Sequence, residues 1–275
     1  MAPELANRHT QTVAGQDIRT LISVQASLRP QHPFVVWRPF SGPRSQWTYA
    51  EFHQRIQRFA AGLHARGVRA GDRVLVHLDN CPEAIFSWIG CAWMGAIAVT
   101  TNARASEDEL AYFADDAQVV AGITQPRFAA SVARACPRLK WLAVTTTDNG
   151  EDAGANRPDA ASSFDAIDAD PSHLPDRPFD PMAPFSVQYT SGTTSRPKGV
   201  LWTHANALWG ARVNAAHEAL GARDVHLVTL PLFHTNAQAY SVLATLWAGA
   251  TVVVQPRFSA SRFWPVSIEE GCTWA

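Results

Sequence analysis

One short segment of this chain concentrates groups that can bind an anion. Residues 190–198 carry five hydroxyl side chains, one glycine, one proline and two cationic residues, with largely apolar stretches on both sides. Such a polar segment is unfavourable in a hydrophobic core, so its side chains are expected to face a ligand or water. Successive backbone N–H groups in a turn can point at one anion, and hydroxyl groups add further donors. The candidate phosphate-binding residues of this hydroxyl loop are Thr190, Ser191, Gly192, Thr193, Thr194, Ser195 and Lys198.

Gly192 and Lys198 have distinct roles in this prediction. Gly192 allows the backbone to approach a ligand closely and to adopt a positive φ. Lys198 supplies a compact, mobile charge that suits phosphate, and it stands out because Lys140 is the only other lysine of the chain. The alternative is a solvated Ser/Thr-rich surface loop, which is what most polar loops are.

The order of residues differs from the P-loop of kinases, GTPases and ATPases. That motif ends in Gly-Lys-Ser/Thr and opens a helix. Here Lys198 follows Pro197 and precedes Gly199, and the apolar residues from Val200 to Trp202 predict a strand. The pattern therefore favours a strand, a polar loop and a second strand, and it disfavours the P-loop classes.

The ten residues from Thr190 to Gly199 resemble the phosphate loop of the adenylate-forming superfamily. That superfamily comprises acyl- and aryl-CoA synthetases, luciferases and peptide-synthetase adenylation domains, with the usual pattern Thr-Ser-Gly-Ser/Thr-Thr-Gly-x-Pro-Lys-Gly. This chain departs from the pattern at Ser195, where relatives carry glycine. Its Thr-Thr-Ser-Arg-Pro-Lys-Gly variant is similar to that of carnitine/crotonobetaine–CoA ligases. The resemblance implies that the hydroxyl loop clasps the β- and γ-phosphates of ATP.

A second candidate is His234, which follows a predicted strand over residues 225–230. Ligands of α/β folds bind beyond the carboxyl ends of strands. For a lone histidine, the alternative is a side chain that satisfies a turn carbonyl. The segment Pro231-Leu232-Phe233-His234 resembles the family's Pro-Leu/Met-Phe-His, which implies that His234 borders the acyl or adenylate pocket. No residue is assigned to a metal.

The rest of the chain alternates predicted strands and helices, which favours an α/β fold with doubly wound, largely parallel sheets and flanking helices. Thr48 and Glu51 match a capping box, and a helix is predicted over residues 236–246. The resemblance implies the N-terminal domain of an adenylate-forming enzyme. We expect one α/β subdomain over residues 1–184 and the start of a second over residues 185–275. Residues 148–184, rich in Asp, Pro, Ala and Ser, predict an exposed, poorly ordered connector.

Composition excludes several classes. A formal net charge of −1 gives no electrostatic case for nucleic acid. The four cysteines form no C-x-x-C pair, so neither a zinc site nor a disulfide framework is predicted. Residues 84–101 carry no charge, but their alanines and glycines favour a buried helix and strand over a membrane span. We expect a cytoplasmic protein with reduced thiols.

The resemblance implies an ATP-dependent carboxylate–CoA ligase of fatty acid metabolism. Such an enzyme forms acyl-AMP and then a thioester, using ATP, Mg²⁺, coenzyme A and a small carboxylic acid. The chain follows only the first half of the family's pattern, so we expect a truncated or proteolysed part that is inactive alone. Two alternatives stay open, an amino-acid adenylation domain that loads a carrier protein and a non-catalytic nucleotide-binding fragment. A homodimer also stays open. The sequence does not identify the carboxylic acid that serves as substrate.

Overall fold

The structure, a computed structural model, describes residues 15–148, 151–152, 158, 160–190 and 196–275. Strands and helices alternate along most of these residues, as the sequence pattern predicts. The strands are β1 (Pro33–Trp37), β2 (Ser45–Thr48), β3 (Arg73–His77), β4 (Ile97–Thr100), β5 (Val119–Thr124), β6 (Leu142–Val144), β7 (Thr147–Asp148), β8 (Glu151–Asp152), β9 (Ser162–Ser163), β10 (Pro184–Thr190), β11 (Lys198–Thr203), β12 (Val225–Val228) and β13 (Thr251–Val254). The α-helices are α1 (Ile18–Leu28), α2 (Tyr49–Ala65), α3 (Pro82–Met94), α4 (Glu107–Asp116), α5 (Pro126–Ala135), α6 (His204–His217), α7 (Ala244–Ala248) and α8 (Ala260–Glu269). A π-helix spans Asn236–Leu243, and two short 3₁₀-helices span Phe164–Ile167 and Pro171–His173.

Two sheets organise the fold. The larger has seven strands in the order β11-β10-β4-β3-β5-β6-β9, and all of its pairs are parallel except β10–β11. The smaller has four strands in the order β12-β13-β1-β2, and only β1–β2 is antiparallel. β7 and β8 form a separate antiparallel pair. This arrangement confirms the predicted α/β fold with largely parallel sheets.

Each sheet draws strands from distant parts of the chain. Near the N-terminus, Val35 of β1 pairs with Val252 of β13. In the larger sheet, Ser186 of β10 pairs with Ala98 of β4. The subdomain boundary at residue 184 stays a prediction, but strands from both sides of it enter each sheet.

The largest buried cluster lies between the two sheets and includes α2 and α3. Phe34 and Phe52 are 0% exposed, and Trp88 of α3 is 2% exposed. Pro82 begins α3, and Gly95 ends it in the left-handed region with a φ of 92°. Burial on all sides explains why this helix carries so little charge. No helix in the described part of the chain is both long and apolar enough to cross a membrane.

Local capping signals are confirmed. Thr48 accepts a hydrogen bond from the N–H of Glu51, and the Glu51 side chain accepts one from the N–H of Thr48. Ser106 and Glu109 form the same reciprocal pair at the start of α4. Such a cap stabilises a helix by about 1 kcal/mol because it satisfies backbone N–H groups that lack a partner within the helix.

Part of the predicted exposed connector, residues 161–168, packs against the core, whereas most residues from 170 to 182 are exposed. Phe164 and Ile167 are each 2% exposed and belong to the main core. Ile167 lies so close to α2 that a Cβ on Gly62 would overlap its carbonyl oxygen. Asp168 pairs with Arg55 of α2. Two well-placed apolar residues anchor this segment, although its average composition is polar.

Candidate functional site

The two ends of the hydroxyl loop are fixed by strand pairing. Thr190 is the last residue of β10, Lys198 is the first residue of β11, and the two are register partners in the antiparallel pair. Both side chains are exposed. The predicted strands on both sides of the hydroxyl loop are confirmed, and α6 begins only at His204. The other predicted phosphate-binding residues, Ser191, Gly192, Thr193, Thr194 and Ser195, lie outside the described residues.

Helix α4 supports both strands at the base of this loop. The hydroxyl group of Tyr112 donates a hydrogen bond to the carbonyl oxygen of Pro197 at 2.8 Å. The guanidinium of Arg196 lies 5.3 Å from the centre of the same tyrosine ring. On the other strand, the Tyr189 hydroxyl group donates to Asp116 Oδ2 at 2.6 Å. Burial and this carboxylate raise the pKa of Tyr189, so it remains a neutral donor.

His234 lies in the turn that follows β12. Its backbone N–H donates to the carbonyl oxygen of Pro231 at 3.0 Å, and its own carbonyl oxygen accepts from the N–H of Gln238 at 3.1 Å. The imidazole is exposed, and its Nδ1 accepts a weak hydrogen bond from the N–H of Asn236 at 3.4 Å. In the neutral ring, the proton therefore resides on Nε2, which is available as a donor.

The two predicted sites are adjacent in space. Thr235, next to His234, donates its hydroxyl hydrogen to Gln188 Oε1 at 2.7 Å. Gln188 lies on β10, two residues before Thr190. The structure therefore brings the start of the hydroxyl loop and the His234 turn together, as expected for two parts of one site.

A cavity of about 570 Å³, which we call the arginine cleft, lies at the carboxyl ends of strands from both sheets. Its lining follows β3, β4 and β5 of the larger sheet and β12 and β13 of the smaller one. The lining residues are Asp79, Asn80, Asn102, Ala103, Arg104, Arg127, Phe128, Thr229, Pro231, Phe233, Pro256 and Arg257. Ligands of α/β proteins bind at this edge. Sequence reasoning missed the cleft, although polar or charged residues shortly after each strand were a usable signal.

The cleft carries an excess of positive charge. Arg127 pairs with Asp79, Arg104 is exposed, and the Arg257 guanidinium lies 4.7 Å from the centre of the Phe40 ring. Three arginines against one carboxylate suit a polyanionic ligand, because guanidinium groups bind phosphate oxygens in bidentate fashion.

A second cavity of about 470 Å³, the α6 groove, lies between α6, β12 and the π-helix. It shares Thr229 with the arginine cleft. Its lining is mixed, with Leu227, Val228, Leu230 and Trp274 beside Asn214, His217, Glu218, His226, Asn236, Tyr240 and Ser241. Phe233 lines the cleft and Asn236 lines the groove, so His234 lies in the stretch of chain between the two cavities.

His226 is a buried polar group of the α6 groove. It is 4% exposed, and its Nδ1 has no hydrogen-bond partner among the residues that the structure describes. Burial lowers the pKa of this imidazole to about 4. The groove therefore contains a neutral histidine near pH 7.

Among the described residues, no group of three or more His, Cys, Asp or Glu side chains is arranged to hold a metal ion. All four cysteines are free, and three of them are buried.

Comparison with known proteins agrees with this geometry. Residues 22–275 match the family model described as AMP-binding enzyme. The chain is 33% identical over 260 residues to a crotonobetaine/carnitine–CoA ligase of Escherichia coli, which covers 92% of this chain and 49% of that protein. It thus spans about half the length of the curated relatives it matches.

Solved structures share the fold. The apo structure of MbtA from Mycobacterium smegmatis superposes with a TM-score of 0.84 at 28% identity, covering 98% of this chain and 49% of that one. The anthranilate–CoA ligase AuaEII, solved with anthranoyl-AMP, gives a TM-score of 0.77 over 92% of this chain and 47% of that one. Its 20% identity supports the fold alone. By family match, relatives and fold, this chain belongs to the AMP-binding enzyme family of adenylate-forming ligases.

Proposed function

We propose that this chain binds ATP and a carboxylic acid as part of an ATP-dependent carboxylate–CoA ligase. The observation that carries the proposal is the bond between Thr235 and Gln188, which places the His234 turn beside the strand that enters the hydroxyl loop. One pair of adjacent elements can then hold the phosphates and the acyl group of a single reaction.

In the first step, a carboxylate oxygen attacks the α-phosphorus of ATP, the bond from that phosphorus to the β-phosphate oxygen breaks, and acyl-AMP and pyrophosphate form. Negative charge grows on the departing pyrophosphate. The hydroxyl and N–H groups of Thr190, Ser191, Gly192, Thr193 and Thr194 would neutralise it together with the ammonium of Lys198, and Ser195 is included as a weaker candidate.

The acyl group would lie in the α6 groove, with His234 at its border. The Nε2–H of His234 can donate a hydrogen bond to the carboxyl group, which would orient it for attack. Asn214, Asn236, Tyr240 and Ser241 line the groove, and their polar groups would lose water without replacement if a long alkyl chain filled it. We therefore propose a small polar acid, which is compatible with the crotonobetaine/carnitine–CoA ligases among the relatives.

In the second step, the thiol of coenzyme A attacks the acyl carbonyl carbon and AMP leaves, so that a thioester forms. Coenzyme A is itself polyanionic, and Arg104, Arg127 and Arg257 line a cleft that suits its phosphates. Because the cleft and the groove meet at Thr229, a thiol that arrives through the cleft would reach an acyl group in the groove. This arrangement favours coenzyme A over a carrier protein as the acceptor.

The free state of all four cysteines is consistent with a reducing compartment. Cys81, Cys91 and Cys136 are buried and Cys272 is half-buried, all as free thiols. Burial raises the pKa of Cys136 to about 11, so its thiolate is scarce near pH 7 and the group is unreactive. We propose that the enzyme acts in the cytoplasm.

The decisive assay is acid-dependent exchange of pyrophosphate into ATP by the complete gene product. A panel of carnitine, crotonobetaine, medium-chain and aryl acids would identify the substrate, and thiol consumption would then report thioester formation. We expect exchange with at least one small polar acid, and its loss when Thr193→Ala and Lys198→Ala are combined. Unchanged exchange in that double variant would refute the role of the hydroxyl loop.

A further inference from the structure

A buried pair of glutamine side chains joins the strand that enters the hydroxyl loop to the segment that carries His234. Gln188 lies on β10, two residues before Thr190, and Gln238 lies in the π-helix, four residues after His234. Gln188 Nε2 donates a hydrogen bond to Gln238 Oε1 at 2.5 Å. Gln188 is 6% exposed and Gln238 is 0% exposed, so water does not compete for this bond.

The remaining amide groups of the pair bind on both sides of His234. Gln188 Oε1 accepts from Thr235 Oγ1 at 2.7 Å, and Gln238 Nε2 donates to the carbonyl oxygen of Leu232 at 2.8 Å. These hydrogen bonds therefore fix the turn at Thr235, directly after His234, and at Leu232, two residues before it.

A further contact extends the network into the larger sheet. Gln238 Nε2 also approaches Thr100 Oγ1 at 3.4 Å. Thr100 is the register partner of Gln188 on the neighbouring strand β4. Gln238 therefore reaches across from the π-helix, which follows a strand of the smaller sheet, and contacts two adjacent strands of the larger one.

The network has the properties of a brace. Its hydrogen bonds lie in a buried, low-dielectric environment, where such bonds reinforce one another. If β10 and the π-helix separated, the buried amide groups would lose their hydrogen-bond partners. This cost strongly disfavours their separation. A displacement at the end of β10 is therefore passed to the His234 turn.

From this geometry we propose that Gln188 and Gln238 are positioning residues that couple nucleotide binding in the hydroxyl loop to ordering of the His234 turn. The inference rests on the proposed function, because it requires a nucleotide in that loop. Neither glutamine is among the residues that line the cleft or the groove. Their effect is that the acid site, already held by these hydrogen bonds, is held more firmly when ATP is bound.

The test is hydrogen exchange of the complete gene product, followed in peptides that cover residues 230–243. The probe is α,β-methylene-ATP, which cannot be cleaved at the bond that adenylation breaks. In the wild type, saturating nucleotide is expected to slow exchange in these peptides by about fivefold or more, the lower range of coupling between sites. In Gln188→Met and Gln238→Met, the nucleotide is expected to bind within about twofold of the wild-type Kd without this slowing.

Gln25 provides a matched control. Gln25 lies on α1 and is also 6% exposed. Its Nε2 donates a hydrogen bond to the carbonyl oxygen of Trp247 at 2.8 Å. It is not among the residues that line the cleft or the groove. Gln25→Met should cost stability yet keep the slowing. In each single variant, one buried amide faces a methionine. The double variant Gln188→Met with Gln238→Met removes both amides, so neither is left facing a methionine, and it is the form to use if a single variant fails to fold.

Each outcome decides the matter. Slowing that persists in the Gln188 and Gln238 variants, or that disappears equally in Gln25→Met, would overturn the coupling role. Tight nucleotide binding by the wild type without slowing at residues 230–243 would overturn this inference alone. If the wild type bound no nucleotide, the proposed function would fail and the inference with it.

Discussion

Asn80 Oδ1 accepts a hydrogen bond from the backbone N–H of Leu232 at 2.7 Å, and this bond joins the two sheets at the arginine cleft. The Nδ2 group of the same side chain donates to the carbonyl oxygens of Leu230 at 2.9 Å and Gln255 at 3.1 Å. Asn80 follows β3 of the larger sheet, whereas its partners follow β12 and β13 of the smaller one. One buried amide therefore fixes the spacing of the two sheets where ligands are expected to bind.

We predict that Asn80→Asp lowers the free energy of unfolding by about 3 kcal/mol, because a carboxylate would face two carbonyl oxygens without a proton to donate. Urea denaturation at pH 7 measures the change. Asn102→Asp is the control, since the exposed Asn102 side chain accepts a hydrogen bond from the N–H of Arg104, which a carboxylate can also accept. It should alter stability by less than about 0.5 kcal/mol. Equal effects of the two substitutions would contradict the sheet-joining role.

Lys198→Ala should reduce acid-dependent pyrophosphate exchange by about 10²- to 10³-fold, because the charge that develops on the leaving group loses its counter-ion. The other lysine, Lys140, is exposed, and its backbone N–H donates to the carbonyl oxygen of Val120. Lys140→Ala keeps that backbone bond and should leave the exchange rate unchanged. A similar loss in both variants would point to general damage and count against a specific role for Lys198.

Gly62→Ala should destabilise the fold by about 3 kcal/mol or more, because the added Cβ would overlap the carbonyl oxygen of Ile167. The segment around Phe164 should then become accessible to proteases. Gly221→Ala is the matched control, since the nearest atom to a Cβ there is Asp224 Oδ2 at 3.8 Å. If Gly62→Ala were as stable as Gly221→Ala in urea and as resistant to proteolysis, the packing of residues 161–168 would be refuted.

His226 should make the protein less stable as the pH falls. Burial lowers the pKa of this imidazole to about 4 in the folded state from the ordinary 6.5. The unfolded chain therefore binds a proton between these values that the folded chain does not, and stability declines by up to about 1.4 kcal/mol per pH unit for this group. Urea denaturation at pH 7, 6 and 5 should show a smaller decline in His226→Phe than in the wild type. Parallel pH curves for the two proteins would show that His226 is not the group responsible.

The sequence predicts the local features of the fold well. Thr48 and Ser106 cap helices through their own side chains, and Gly249 ends a helix with a φ of 73°. These features depend on residues within a few positions of one another, so they can be recognised from the sequence. The winding of the segment Asn236–Leu243 is different. The sequence pattern predicts a helix there but does not distinguish the observed π-helix from an α-helix.

The candidate site is predictable only in part. The hydroxyl loop and His234 carry recognisable motifs, and the structure places Thr190, Lys198 and the His234 turn on neighbouring elements. Arg127 and Arg257 are ordinary residues in the sequence, and they converge only because strands of two sheets end at one edge. The functional roles of the hydroxyl-loop residues, Thr190 and Lys198 included, and of His234 stay predictions.

The pairing of β1 with β13 has a consequence for synthesis on the ribosome. Val36 finds its partner Val253 only after more than two hundred further residues have been added. At about 5–20 residues per second, translation of that interval takes on the order of 10 to 40 s. During this time one edge of β1 lacks its native neighbour and, unless shielded, can pair with a foreign strand. Newly made chains should therefore depend on a chaperone during translation more than the finished protein does.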